Sequence, residues 1–181
     1  MKINYRLTTD DYLKYQLYKA SFSKQMLKRK NLNRIVWAVL FLAVAIFFAI
    51  DKSWTKFGIF FVLSLLWYAL HPFVSRGLIK RSFRKEIKEK FSENFEKPLS
   101  VEDKADGLHL VAMQREMIVK YSSIVEIVDV GSHYFVIFDT GSVAILPVGR
   151  EVGRNIWNDF VSQLVKKSGK PVYDKTDWEW K

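Results

Sequence analysis

A chain of 181 residues with 29 Lys+Arg against 19 Asp+Glu carries a formal charge of +10, an excess that calls for an anionic partner, an anionic surface or a charge-sorting topology. It contains no Cys, which excludes disulfides, thiolate metal sites and a Cys nucleophile. Mean hydropathy is near zero, but the average hides a segregation: apolar residues crowd between Ile35 and Val74, and the charges flank them.

Lys2-Ile-Asn-Tyr-Arg-Leu7 alternates polar and apolar side chains, the period of a half-buried strand. Whether this strand joins a sheet formed later in the chain stays open at this level. Thr8-Thr-Asp-Asp11 follows, a run of N-cap residues with acids suited to a first helical turn. From Asp10 to about Lys30, Leu13, Leu17, Tyr18, Phe22 and Met26 recur at about one helical turn, predicting an amphipathic helix with a basic end. Residues 1–34 thus read as a strand and an amphipathic helix, too polar for a signal peptide.

Ile35 to Ile50 is sixteen residues without a charged side chain. The connector Asp51-Lys-Ser-Trp-Thr-Lys56 leads to a second apolar block, Phe57 to Leu70, extended by His71-Pro-Phe-Val74. A hydrocarbon core of about 30 Å takes roughly 20 helical residues, which predicts spans over about 33–53 and 56–75 and a transmembrane hairpin over 35–75. Eleven of the first sixteen residues are Leu, Ile, Phe or Val, favouring insertion by about 3–7 kcal/mol. Both blocks are apolar all round, whereas core helices of soluble proteins usually keep a polar face. Five Lys/Arg between Lys24 and Arg34 and six between Arg76 and Lys88 flank the hairpin, against two Lys and one Asp in the connector. The positive-inside rule then puts both termini in the cytoplasm of a two-span membrane protein, with the connector outside.

Beyond Arg76, Ile79, Phe83, Ile87, Phe91 and Phe95 stand at four-residue steps, predicting a basic amphipathic helix over 76–97 that Pro98 stops. Its Arg76, Lys80, Arg81, Arg84, Lys85 and Lys88 are candidate contacts to anionic lipid, each worth about 1 kcal/mol near such a surface. After Pro98 the texture becomes β-rich, with strands predicted at about 98–103, 107–112, 115–121, 123–130, 133–138 and 142–147. A helix follows at about 152–167, with Ile156, Trp157, Phe160 and Leu164 on one face. The β-domain covers 98–168, and the polar tail 169–181 is expected to be loosely ordered.

Asp139-Thr-Gly-Ser142 behind Val136-Ile-Phe138 resembles the active-site loop of aspartic proteases, where two such Asp share a proton. With one copy, such an enzyme would be a symmetric dimer. The downstream apolar-apolar-Gly element is missing, since Ile145-Leu146 runs into Pro147, and a turn between two strands accounts for the tetrapeptide. His71, His109 and His133 have no metal-ligand spacing; His71 reads as an interfacial residue and the other two as solvent-facing strand positions. Gly149-Arg-Glu-Val-Gly153 lacks a phosphate-loop pattern. No catalytic residue, cofactor or metal is expected. Glu102, Asp103, Asp106, Glu116, Glu126, Asp129 and Asp139 make the β-region too acidic for nucleic acid.

The order of parts resembles a known family. Tyr5-Arg-Leu-Thr-Thr-Asp-Asp-Tyr12 enters a helix; two apolar spans and a basic helix follow; then come Asp106-Gly-Leu108, Tyr121-Ser-Ser-Ile-Val-Glu126 and Ile145-Leu-Pro147. This is similar to the YcxB-like family of bacterial membrane proteins, whose C-terminal domain is similar to bacterial pleckstrin-homology-like (PH-like) domains. Tyr121 stands where that pattern often has Trp, and Val148-Gly-Arg150 matches only loosely the basic and aromatic residues that often follow its Pro. The resemblance covers nearly the whole chain. It implies a curved antiparallel sheet capped by a C-terminal helix and supplies no catalytic residues.

The sequence therefore predicts an α+β membrane protein: a two-helix hairpin, flanking amphipathic helices and a C-terminal antiparallel sheet capped by a helix. The expected role is non-enzymatic binding or regulation, with a protein partner or lipid headgroups. The alternatives are an immunity protein against a bacteriocin or toxin, and the dimeric aspartic protease.

Overall fold

The structure, a computed structural model, describes residues 1–91, 97–112 and 115–180, with backbone alone for Phe91 and Arg115. The chain divides into two compact units, one made of Met1–Gln16 with Arg84–Glu179, the other of Leu17–Phe83 with Trp180.

The first unit is built on strands β1 (Lys2–Arg6), β2 (Pro98–Asp103), β3 (Leu108–Ala112), β4 (Arg115–Val119), β5 (Ile124–Asp129), β6 (His133–Phe138), β7 (Val143–Pro147) and β8 (Val172–Asp174). They form two four-stranded sheets, β1-β2-β3-β4 and β7-β6-β5-β8. Within the β-region, the strands predicted from 98 to 147 lie where expected. The N-terminal strand does join this unit: Ile3 faces Val101 and Tyr5 faces Leu99 in antiparallel register, and Ile3, Tyr5 and Leu7 are all buried. The alternation that marked the strand is thus the alternation of its buried face. The tail is a correction: Val172–Asp174 pairs in parallel with β5, so 169–181 is not simply loose and the second sheet is mixed.

Gly107 is fixed by space. A Cβ there would lie 2.6 Å from the Val119 carbonyl oxygen, so the turn into β3 admits only a bare backbone. Helix α4 (Arg154–Ser168) starts at Gly153 and ends at Gly169, whose left-handed φ of 69° lets its N–H reach the Val165 carbonyl. Trp157, Phe160 and Leu164 of α4 are fully buried, as the periodicity predicted, whereas Ile156 is exposed. Trp157 meets Tyr5 of the first sheet edge-on at 5.4 Å and donates from Nε1 to the Pro147 carbonyl at the end of the second sheet, 2.7 Å. One side chain therefore ties the two sheets to the helix, with its polar atom satisfied.

The second unit carries the long helices. The single helix predicted from Asp10 to Lys30 is broken: α1 (Thr9–Phe22) ends, and Ser23 caps a new helix, α2 (Lys24–Ile50), by accepting from Met26 N–H. Ser is favoured there because its hydroxyl competes for backbone N–H groups. α3 (Trp54–Phe91) is another correction, since the second apolar block and the basic segment are one continuous helix. It absorbs Pro72. The predicted stripe positions Ile79 and Phe83 are half-buried and Ile87 is buried, while Phe95 and the predicted helix end lie outside the described residues.

α2 and α3 pair as a hairpin. Ser64 Oγ donates to the Ala38 carbonyl across the pair, 2.9 Å, and Ala45 is fully buried, a small residue at the contact. Such small-residue and hydroxyl contacts are what bring two helices close in a lipid environment. Phe48 stacks on Phe60, and Trp67 meets both Trp37 and Phe41. Both helices are long and apolar enough to cross a membrane; only 6% and 11% of their apolar windows are buried.

Truncating Trp157 to Ala should remove the tie between the sheets and cost about 3–5 kcal/mol. Thermal unfolding followed by near-ultraviolet circular dichroism checks this: Trp157→Ala should melt far below the parent, and an unchanged melting temperature would contradict the packing.

Candidate functional site

Two features have the character of a binding surface: the basic stretch of α3 and a cleft in the β-unit. Arg76, Lys80, Arg81, Arg84, Lys85 and Lys88 all lie on α3, where 100° per residue spreads them over about half the circumference. In the hairpin unit, Arg76 lies partly buried over the Phe73 ring at 5.4 Å, and Lys80 and Arg81 are exposed. In the β-unit, Arg84 is engaged with Asp10 at 2.6 Å and Lys85 with Glu89 at 3.8 Å, while Lys88 is exposed. The two ion pairs are open to solvent and contribute little to stability, so these charges remain available to a surface.

The cleft has a volume of about 570 Å³ and lies between the two sheets. Leu7, Leu99, Leu110 and Met117 line one side and Phe138 and Ile145 the other, with Tyr5, Tyr12, Ser100 and Ser142 as its polar points. Its size and its few polar groups suit an apolar side chain or small apolar group. Burial pushes the Tyr5 and Tyr12 phenols above their usual range, so both stay neutral donors.

Asp139-Thr-Gly-Ser142 forms the turn between β6 and β7. Phe138 N–H donates to the Ser142 carbonyl (3.0 Å), Gly141 N–H to the Phe138 carbonyl (2.9 Å) and Asp139 N–H to the Ser123 carbonyl (2.9 Å). Gly141 takes a φ of 78°, a conformation that favours glycine. Asp139 is exposed at its tip.

The expectation that His109 and His133 face solvent is wrong. Both are buried, at 5% and 7% exposure, because each imidazole is held by carboxylates that satisfy it. His109 Nδ1 lies 2.5 Å from Glu116 Oε1 and Nε2 3.0 Å from Asp106. The Glu116 contact foremost, then Asp106, raises the His109 pKa, with burial opposing. His133 Nε2 donates to Asp11 Oδ1 at 2.9 Å, and Asp11 Oδ2 accepts from Thr8 N–H (2.7 Å), Thr8 Oγ (2.8 Å) and Arg150 (3.2 Å). On its other side His133 Nδ1 lies 2.8 Å from Ser132 Oγ, which accepts from Lys14.

Ser132, His133 and Asp11 thus stand in the donor–acceptor order of a hydrolytic relay. The same contacts have a structural effect. Asp11 is filled by four donors, and Lys14 occupies the hydroxyl oxygen, so the chain clamps the start of α1 to the start of β6. Burial works against the Asp11 charge, but the bonds from His133 and Thr8 outweigh it and hold the carboxyl at about 2. A capping pattern, Thr8 to Asp11, was visible in the sequence; its long-range partner His133 was not. Asp103 is a second such node, accepting from Tyr121 and from Lys167 Nζ at 2.6 Å. Tyr121, the residue standing where the resembled pattern has Trp, therefore works through its hydroxyl. Among the described residues no cluster of three or more His, Asp or Glu is placed to hold a metal ion.

A carboxyl depressed from 3.8 to about 2 supplies stability that is present above pH 4 and lost as pH falls through 2, about 2–3 kcal/mol in full. Asp11→Asn should lower the melting temperature at pH 7 and flatten its decline between pH 4 and 2. Circular dichroism melts of the two proteins in detergent across that range test this; parallel pH profiles would refute the clamp.

The chain matches no family model, no curated protein and no solved structure in the comparisons made with each.

Proposed function

We propose that the chain is a membrane-anchored, non-enzymatic binding or regulatory protein of the YcxB-like family. In this reading α2 and α3 cross a bacterial plasma membrane, both termini are cytoplasmic, and the β-unit is a PH-like domain offered to a protein partner or lipid headgroups. The observation that carries the proposal is the almost complete absence of burial along the apolar windows of α2 and α3. Large exposed apolar surfaces of this kind mark a membrane or a partner rather than water. The PH-like assignment draws on the antiparallel strands β1 to β7 followed by helix α4, where the resemblance implies a curved antiparallel sheet capped by a C-terminal helix. The orientation draws on the eleven Lys/Arg on the flanks and the near-neutral connector. The apolar cleft between the sheets is the natural seat for a partner's side chain, and the exposed cations of α3 for anionic lipid.

The lack of Cys makes orientation directly testable. With single substitutions Thr55→Cys in the connector and Lys170→Cys beyond α4, a membrane-impermeant maleimide should label the first in intact cells. The second should react only after permeabilisation. Labelling of Lys170→Cys in intact cells would reverse the orientation, and with it the cytoplasmic role.

A further inference from the structure

Among the described residues the two sheets end in four edge strands, β1 and β4 on one, β7 and β8 on the other. An edge presents unpaired backbone N–H and C=O groups to any strand that comes alongside. Three of the edges are poor templates for a second copy of the chain. β7 is buried from Ala144 to Pro147, and β8 has three residues. β1 turns Lys2, Asn4 and Arg6 outward, so a copy laid antiparallel against it would meet like charges.

β4 differs. Met117 and Ile118 are each 54% exposed and point to opposite faces of the strand. Lys120 follows with φ −64° and ψ 144°, extended backbone that continues the line of β4. The register on β3 sets Ile118 beside His109 and Glu116 beside Val111. Alternation therefore places Glu116, Ile118 and Lys120 on one face, with Met117, which lines the cleft, and Val119 on the other.

The stretch Glu116-Met-Ile-Val-Lys120 is its own antiparallel complement. A twofold axis through Ile118 sets Glu116 opposite Lys120 of a second copy, Met117 opposite Val119, and Ile118 opposite itself. Opposite charges meet at both ends and apolar side chains meet between them, the pairing that fixes an antiparallel register. Both charges are available for it. Glu116 Oε1 meets His109 at 2.5 Å, while Oε2 has no hydrogen bond among the described residues. Lys120 is exposed and its ammonium has no partner among them.

We propose that β4 is a self-association edge: two copies of the chain pair their β4 strands antiparallel about Ile118 and join their first sheets into one continuous sheet. The inference goes beyond the proposed role, since it makes a second copy a partner of the β-unit, and it holds whichever solvent the long helices meet. Five residues a side are few beside the roughly 800 Å² per partner of a standard interface, so the copies exchange readily and covalent trapping is the suitable readout.

The chain has no Cys, so an introduced one is unique. At the twofold centre facing Cα atoms lie about 4.5–5.5 Å apart, within disulfide reach. Lys120 and its copy are at least about 13 Å apart, at roughly 3.3 Å per residue along the strand, and out of reach. The full chain carrying Ile118→Cys is oxidised in mild detergent with copper phenanthroline, and dimers are followed on non-reducing gels. Cross-linking should run at least about tenfold faster than for Lys120→Cys, or for Ile156→Cys at an exposed apolar position on α4. Lys120→Glu, added to Ile118→Cys, keeps the Glu116–His109 contact and sets carboxylates against each other. It should slow the dimer several-fold, and added salt should slow the parent but speed this variant. Circular dichroism checks that each variant is folded. An Ile118→Cys rate no higher than that of Ile156→Cys would leave the edge to a strand of another protein and overturn the proposal. Equal rates at Ile118→Cys and Lys120→Cys, or a Lys120→Glu variant that dimerises like its parent, would overturn it too.

Discussion

The constraint on which the rest depends is the apolar surface of α2 and α3 that no residue of the hairpin covers. Phe47, Ile50, Trp54 and Phe73 are all more than 60% exposed. The inward faces are used up in pairing through Ala45, Ser64 and the Trp37–Trp67 contact, so rearranging the hairpin cannot hide the outward ones. In water this surface would be a large penalty at roughly 25 cal/mol per Å². In a bilayer the same surface is the driving force, and the charge asymmetry of the flanks becomes a statement about direction. Fold, location and role all follow from which solvent these helices meet.

The β-unit is discontinuous in sequence, and this shapes everything attached to it. β1 pairs with β2, so the chain leaves the unit after its first strand, makes the hairpin and returns to complete the same sheet. Residues separated by nearly the whole chain become neighbours: Tyr5 with Trp157, and Asp11 with His133 and Arg150. In sequence the hairpin is an insertion between β1 and β2. The clamp at Asp11 holds the outgoing side, where α1 begins, and the Arg84–Asp10 pair joins the returning helix to that same turn.

Much of this was legible in the sequence, for physical reasons. Runs rich in Val, Ile and aromatics, punctuated by Asp106-Gly107, Gly131-Ser132 and Thr140-Gly141, placed the strands from Pro98 to Pro147, because such side chains suit a pleated surface and such dipeptides suit the turns between. Unbroken apolar runs placed the hairpin, and the apolar windows of both helices are almost entirely unburied. What could not be read depends on distant partners. His109 and His133 looked solvent-facing because an isolated polar residue in a strand usually is; the carboxylates that make their burial tolerable sit on the next strand or in α1. The short β8 was missed because its three residues are exposed and their pairing is parallel, which leaves no alternation to see. The break at Ser23 was present as a cap residue, but the apolar positions on either side keep step and mask it.

Extraction of membranes at alkaline pH tests the central claim most directly. With α2 and α3 embedded, the full-length chain should remain in the sedimented membranes after carbonate washing and come into solution only with detergent. A chain released by the wash, and monodisperse without detergent, would mean that these helices find their apolar partner in water.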